Sequence, residues 1–596
     1  MTEFANELLK KHYCRKGEEP EQAFERACRC FATDTEHASR LMSYIQKEWF
    51  MFSSPILSNA IDVLFDGNRT IYMEKPKGLP ISCFVSYVPD SIKGLCDHTT
   101  ETRWLSVKGG GVGGHWSDVR NISETTPGVL GFLHTTDADM VAYRQGKTRR
   151  GSYGAYLNID HPEIIEFIKM RVPTGDLNRK NLNLHHGVNI TDDFIDAVDK
   201  DTDWCLVDPH TCEIVERVKA RELWEEILTT RFRTGEPYIN YIDEANDKMH
   251  PALKGKGLRI NGSNLCNEIH LPTDEDRTGV CCLSSVNLAT YDEWCNDSKF
   301  IPDLIEMLDN VLNYFIQFAP DELSKARYSA QQERSLGLGA MGFHDLLQSK
   351  MIPFESAMAV SYNRAMFKNI KQRAEEATYQ LSLTRGAAPD LIHTHEARNA
   401  HLLAIAPNAN SSIILGVSPS IEPRASNCYV HKTRVGSYTV KNPYLEKVIT
   451  KHGYSLCSGN EIYKAQWIEE QWKSIMANEG SVQHLEWMSK DDKDVFKTAF
   501  ELDQRWVVEQ ARARQEFICQ GQSVNLFFPA GADKAYVNEV HRRAFNQRED
   551  FVPLKGLYYL RTEASSKTEK VNVKIERTKL EDGVQGSLDT CIACEG

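Results

Sequence analysis

No uninterrupted apolar run in this chain approaches the roughly 20 residues that a membrane-crossing helix needs. The opening residues, Met1-Thr2-Glu3-Phe4-Ala5-Asn6-Glu7, lack the basic n-region and apolar h-region of an export signal. A soluble protein is expected, cytoplasmic or in the host cytoplasm if the source is viral. Surplus positive charge is missing too: 70 Lys and Arg stand against 83 Asp and Glu, a formal net charge of -13. That balance speaks against coating phosphate backbones, so neither nucleic acid nor membrane is an expected partner. No clean linker interrupts the chain before residue 563, and 596 residues can bury a large core, which points to one big catalytic unit with helical additions.

Cysteine, by contrast, is plentiful, with 16 in the chain. Without an export signal these should be thiols, and any disulfide transient and chemical. Cys28 and Cys30 fall on a helical pattern and Cys205, Cys212, Cys295 and Cys457 are scattered, all readable as packing or surface residues. Others stand among polar neighbours: Ser82-Cys83, Asn264-Leu265-Cys266-Asn267-Glu268, Cys281-Cys282 and Cys591-Ile592-Ala593-Cys594. Alternate residues of an extended segment share a face, so Asn264, Cys266 and Glu268 are expected to converge on one ligand. An amide, a thiol and a carboxylate together can bind a hydroxyl, attack beside it and move its proton.

Apolar residues at three- and four-residue spacing (Phe24, Ala27, Phe31, then Leu41, Ile45, Trp49) predict a short helical N-terminal region over 1–53. From 54 the texture becomes α/β, with β-rich runs such as Cys83 to Val88 and Gly154 to Ile159 between Gly-rich loops and helices. Residues 302–384 read as helix-rich and most of 461–519 as helical, and Ser523 to Phe528 as strand. The segment 563–596 is mixed in charge and free of aromatics, so it cannot offset its ordering entropy and reads as a mobile tail. Its Cys-x2-Cys is also a common zinc half-motif, but no second close Cys or His pair stands nearby, and a redox role is favoured.

Taken in order, these motifs resemble the catalytic large subunit of class I ribonucleotide reductase. The resemblance runs from Ser54 to the C-terminus through Ser53-Ser54-Pro55, Ser82-Cys83, Ser263 to Ile269, Cys281 to Leu288, Arg334 to Gly339, Ala406 to Ser412, Tyr558-Tyr559-Leu560-Arg561-Thr562 and the paired tail cysteines. It implies a ten-stranded α/β barrel over 54–562, built from two antiparallel five-stranded halves, with the radical cysteine on a finger loop through its centre. The implied activity is conversion of ribonucleoside diphosphates to deoxyribonucleoside diphosphates. Cys266 would be the thiyl radical, Glu268 the acceptor of the 3'-OH proton and Asn264 a hydrogen-bond partner of the ribose. Cys83 would protonate the departing 2'-hydroxyl and end in a disulfide with Cys281, which the spacing to Asn287 favours over Cys282. Cys591 and Cys594 would reduce that disulfide and be reduced in turn by thioredoxin or glutaredoxin. Tyr559 and then Tyr558 would relay the radical from a metal-containing small subunit, so no metal is expected on this chain. A homodimer is implied as well.

The resemblance also implies substrate contacts at Ser54, Ser82, Gly111, Asn408, Asn410, Ser411 and Ser412, the last four suiting a helix N-terminus that binds phosphate. Gly109 to Gly114 formally satisfies the dinucleotide fingerprint, but His115-Trp116-Ser117 opens no helix, and a Rossmann site is not expected. Asp90, Ser91 and Arg120 are implied as a specificity site for ATP or deoxynucleoside triphosphates, with Arg149 and Arg150 on the loop that carries effector identity. About fifty residues precede Ser54, too few for the ATP-binding regulatory domain of larger family members; a compact enzyme not switched off by dATP is expected, of a kind suited to a virus or phage. Three other readings compete. A cobalamin-dependent reductase would not need the tyrosine pair, a glycyl-radical enzyme would need a convincing loop around Gly583 or Gly586, and a zinc scaffold would bind stoichiometric metal.

Overall fold

A computed structural model describes residues 3–66, 69–143, 151–392, 397–432, 437–456, 461–547 and 551–563. The N-terminal region is helical as its periodicity predicts, with helices Glu3–His12, Pro20–Phe31 and Thr35–Gln46. The second has Pro20 in its first turn and a reciprocal Glu19–Gln22 capping box; the third is capped by Asp34, whose carboxylate accepts from His37 N–H. Phe24, Ala27 and Phe31 point to the core and are at most 1% exposed. Burying each phenylalanine contributes about 1.5–3 kcal/mol.

Nine strands form the central sheet: β1 (Phe50–Phe52), β2 (Cys83–Tyr87), β3 (Gly111–His115), β4 (Ser152–Asn158), β5 (His185–Ile190), β6 (Tyr238–Tyr241), β7 (Gly279–Asn287), β8 (Leu336–Met341) and β9 (Gly556–Leu557). β2 to β6 form a run of five parallel strands. At one end β7 joins β2 antiparallel, and at the other β9 joins β6 antiparallel. The second half starts with β8 parallel to β7 and continues through the chain at 402–405 and 520–524, bridged at Leu338–Leu403 and Ile405–Gln522. The Tyr558 N–H donates to Val524 O at 2.9 Å and brings the ring round to β9. Five parallel strands and five further segments, antiparallel at both seams, make the closed ten-membered barrel that the resemblance implies. Closure leaves no open edge, and its strands are buried on both faces, which is why they alternate so weakly in polarity.

The helix-rich stretch over 302–384 also holds one strand. Residues 302–384 contain the helices Phe300–Phe318 and Ala357–Arg385, but barrel strand β8 interrupts them. Its Leu-Gly-Leu-Gly pattern reflects crowding: a Cβ at Gly337 would meet Cys281 Sγ at 2.8 Å, and one at Gly339 would meet Ser285 Oγ at 2.8 Å. Gly111–His115 is a strand, as the rejection of a dinucleotide fold requires. Among the described residues no helix is long and apolar enough to cross a membrane.

Candidate functional site

Cys83 opens β2 and pairs directly with Cys281 across the β2–β7 seam. Paired Cα atoms in antiparallel strands lie about 4.5–5.5 Å apart, inside the range a disulfide spans. Both are buried and neither is in a disulfide. Strand alternation sends the next residue the other way: Cys282 packs into the outer core and its thiol reaches Leu308 O of helix Phe300–Phe318 at 3.4 Å. Cys281, and not Cys282, thus lies on Cys83's side of the sheet. Burial first, then Cys282 beside it, pushes the Cys281 thiol well above its ordinary pKa. Gln520 Nε2 lies 3.5 Å from Cys281 Sγ while donating to Leu336 O at 2.9 Å.

The Asn264–Glu268 pentad enters the barrel as a tight turn, contrary to the extended segment expected from its alternation. Asn267 N–H closes on Asn264 O at 3.3 Å, and Asn267 adopts φ 61°, in the left-handed region that Asn tolerates. Convergence therefore comes from the Asn264 side chain, whose Oδ1 accepts from the Glu268 and Ile269 N–H groups, both at 3.1 Å. Neighbours fix the turn: Tyr156 OH donates to Asn264 O at 2.6 Å, Ser523 Oγ to Cys266 O at 2.6 Å and to Glu268 Oε2 at 3.2 Å, and Asn267 Nδ2 to Ile239 O at 3.1 Å. The glycines of β3 leave room for the turn, since a Cβ at Gly113 would sit 1.8 Å from Ser263 O. Asn264, Cys266 and Glu268 are at most 3% exposed. Two polar atoms there, Asn264 Nδ2 and Glu268 Oε1, make no hydrogen bond among the described residues, an expensive arrangement unless a ligand uses them. Burial pushes the Glu268 carboxyl up to about 7, with Asn264 and Ser523 opposing it only in part. Cys266 is disulfide-bonded in this structure.

Tyr558 packs with Cys266, Leu265 and Tyr238 in one buried cluster, with Tyr559 against it. The Tyr558 and Tyr559 ring centroids are 4.2 Å apart, and Tyr238 lies 4.7 Å from the first and 5.2 Å from the second. Tyr559 is half-buried, so the three rings step from a partly exposed position to the buried turn.

Substrate-contact candidates gather at the same end. β8 occupies one edge of β7 over 282–287, so β1 and β2 share the other, with Phe52 opposite Ser284 and Cys83 opposite Cys281. Ser54 and Ser82 thus approach the same stretch of β7. Ser54 Oγ lies 2.8 Å from Tyr13 OH, and Ser82 Oγ 3.8 Å from Cys83 Sγ. Asn410, Ser411 and Ser412 lie in the short helix Ala409–Leu415, which packs on β1. Asn408 precedes it in the left-handed conformation and does not cap it; its side chain accepts from Ser285 Oγ at 2.9 Å and donates to Ala340 O at 3.2 Å. Gly111 lies under the turn, where its Cβ would press on Leu265. Asp90, Ser91 and Arg120 also come together: Arg120 Nε donates to Asp90 Oδ2 at 2.8 Å, and Ser91 caps helix Ile92–Val107. Arg149, Arg150, Cys591 and Cys594 lie outside the described residues.

Sequence reasoning missed Tyr156, Tyr238, Gln520 and Ser523. The tyrosines sit at ordinary strand positions and the other two reach the site only through barrel closure, so nothing local marks them.

A closed ten-membered barrel with a cysteine turn at its centre and a facing thiol pair defines a thiol-dependent oxidoreductase. Family models described as the ribonucleotide reductase barrel domain match residues 81–393 and 387–560, and the ribonucleotide reductase all-alpha domain matches 1–64. A Frog virus 3 (isolate Goorha) protein assigned as a ribonucleoside-diphosphate reductase large subunit is 53% identical over 565 residues, covering 94% of this chain and 93% of its own. The ribonucleoside-diphosphate reductase large subunit of Invertebrate iridescent virus 3 is 38% identical, covering 99% and 97%. In structure, the Actinobacillus ureae class Id ribonucleotide reductase alpha subunit superposes with a TM-score of 0.78 at 30% identity, covering 94% of this chain and 97% of its own. The chain belongs to the ribonucleotide reductase large-subunit family.

Proposed function

We propose that this chain reduces ribonucleoside diphosphates to deoxyribonucleoside diphosphates by radical chemistry at Cys266, in a class I enzyme whose oxidising equivalent comes from a separate metal-containing small subunit. The observation that carries the reading is the buried Cys266 turn, with two polar atoms on Asn264 and Glu268 that make no hydrogen bond among the described residues, seated through Leu265 on Gly111, the strand neighbour of Cys83 in the Cys83–Cys281 pair.

Loss of a ribose 2'-hydroxyl is slow because hydroxide leaves badly and C2' has no activating neighbour. After an external dithiol has reduced its disulfide and the small subunit has oxidised the thiol, Cys266 takes the 3'-hydrogen as a thiyl radical, while ionised Glu268 accepts the 3'-OH proton and Asn264 Nδ2 holds the ribose oxygens. Cys83 gives its proton to the departing 2'-hydroxyl, which leaves as water. The two electrons come from Cys83 and Cys281, which end joined by a disulfide, and Cys266 recovers its radical as the hydrogen returns to C3'. Burial raises the Cys281 thiol well above its ordinary value, so it stays a thiol at neutral pH until the pair is oxidised. Tyr559 and Tyr558 carry the radical inward, a role supported by the 4.2 Å approach of their ring centroids and by the packing of Tyr558 in one buried cluster with Cys266. The uncapped first turn of Ala409–Leu415, with Ser54 and Ser82, fits a diphosphate. Asp90, Ser91 and Arg120, with Arg149 and Arg150, serve as the effector site; Cys591 and Cys594 return electrons from thioredoxin or glutaredoxin; and the chain works as a homodimer docked to its small subunit.

A single-turnover assay tests this: pre-reduced chain, cognate small subunit and CDP, without external reductant. With Cys591→Ser and Cys594→Ser in place, so that the tail cannot re-reduce the site, one dCDP per active site with one new disulfide between positions 83 and 281 is expected. Activity that requires adenosylcobalamin and no second subunit would establish the competing class.

A further inference from the structure

Tyr559 is held from outside by a charged assembly that the relay does not by itself require. Its hydroxyl lies 3.2 Å from His185 Nδ1, on the first residue of β5. The same nitrogen lies 2.7 Å from Glu236 Oε1, and Arg171 Nη1 pairs with that oxygen. Glu236 Oε2 receives the His186 N–H and lies near its Nδ1, both at 3.2 Å. The carboxylate is fully buried; burial opposes its charge, but Arg171 and His185 overcome this and hold it well below its ordinary pKa.

An ionised carboxylate 2.7 Å from Nδ1 fixes the tautomer. Arg171 Nη1 also lies 3.4 Å from Nδ1, but its closer partner is the Glu236 oxygen, and a lone pair on Nδ1 would face that carboxylate at 2.7 Å, so Nδ1 carries the proton. The phenol oxygen of Tyr559 sits within reach of that same N–H. The imidazole is also clamped by rings, lying parallel to Tyr238 at 13° with centroids 6.2 Å apart and edge-on to Tyr559 at 80°. Sequence order explains the register: Glu236 stands two residues before Tyr238 on the approach to β6, and Tyr238 pairs with Gly187 of the neighbouring strand that His185 opens.

We infer that His185, oriented by Glu236 and Arg171, is a positioning residue of the radical relay: its Nδ1–H, bonded first to Glu236 Oε1 at 2.7 Å, is shared in a three-centre bond with the phenol oxygen of Tyr559 at 3.2 Å and holds that ring against Tyr558. The inference rests on the relay proposed above. A donor to this oxygen persists when the phenol is oxidised, because the proton it shares belongs to the imidazole, and it fixes the ring in both states.

The test uses the complete enzyme, chain plus cognate small subunit, substrate and effector, with 3-aminotyrosine at position 559 to trap the radical. In D2O the trapped radical should show an exchangeable deuteron coupling from Nδ1 in electron–nuclear double resonance. That coupling should vanish in His185→Phe and in the smaller His185→Ala, with turnover lowered at least tenfold and nucleotide affinity unchanged. His185→Gln, whose amide can donate, should restore part of both. Coupling unchanged in both His185→Phe and His185→Ala overturns this inference alone. No radical at 559, together with full activity of Tyr559→Phe, overturns the relay itself.

Discussion

The glycine at position 113 sets how closely β3 approaches the cysteine turn, and Gly113→Ala is a quantitative probe of that fit. The added methyl would lie 1.8 Å from Ser263 O and 2.8 Å from Asn264 Cα, both backbone atoms that cannot rotate away. Restoring ordinary contact near 3.4 Å requires the strand and the turn to separate by about 1.6 Å. Overpacking of this kind costs about 1–3 kcal/mol, a tolerable loss for a barrel of this size. The catalytic loss should be larger, since displacing a reacting group by 1 Å costs about 10² in rate. Gly113→Ala should therefore fold, melt a few degrees lower, bind CDP and effector, and reduce CDP about a hundredfold more slowly. Gly255→Ala, where nothing lies within 4 Å of the new Cβ, is the control and should be silent. Steady-state dCDP formation beside a thermal melt decides the matter. Wild-type turnover in a folded Gly113→Ala would refute the claim that β3 seats the turn.

Glu268→Gln should fold and bind nucleotide but lose about 10²–10⁴ in kcat, the usual worth of general acid–base help. The wild-type carboxyl, raised to about 7, acts as a base only when ionised, so kcat should fall as pH drops through 7, a limb the variant should lack. The same raised value makes deprotonation unfavourable to the fold, a penalty absent below about 4.5 and complete above 7, so wild-type melting temperature should drop relative to Glu268→Gln as pH rises across that window. Cys281→Ala should abolish dCDP formation, whereas Cys282→Ala, facing Leu308, should cost about 1 kcal/mol of stability and leave turnover within a few-fold; a melt and product assay on each separates them. Cys591→Ser with Cys594→Ser should lose turnover driven by thioredoxin and keep that driven by dithiothreitol, measured with each reductant in turn.

Much of this was legible in the chain because thiol chemistry needs particular residues in particular company. Asn264, Cys266 and Glu268 are close in sequence, Cys83 follows a serine and Cys281 opens the run to Asn287, so the candidate groups announce themselves locally. The shape of the turn was not legible: alternation suggested an extended face, but the Asn264 side chain captures the Glu268 and Ile269 amides, and Asn267 takes a left-handed conformation to allow it. Strand β8 was hidden among helices because its alternating glycines carry no apolar period, their smallness being imposed by Cys281 and Ser285 on the neighbouring strand. Ser523 and Gln520 contribute only after more than two hundred residues of chain close the barrel, a dependence no local pattern records.

The most direct measurement is CDP reduction by Cys266→Ser with the cognate small subunit, an effector and dithiothreitol. The hydroxyl of serine is too strong an O–H bond for the relay to break, so the variant should bind CDP, keep the Cys83–Cys281 thiols and form no dCDP above background. Production of dCDP by a verified Cys266→Ser chain would contradict the account.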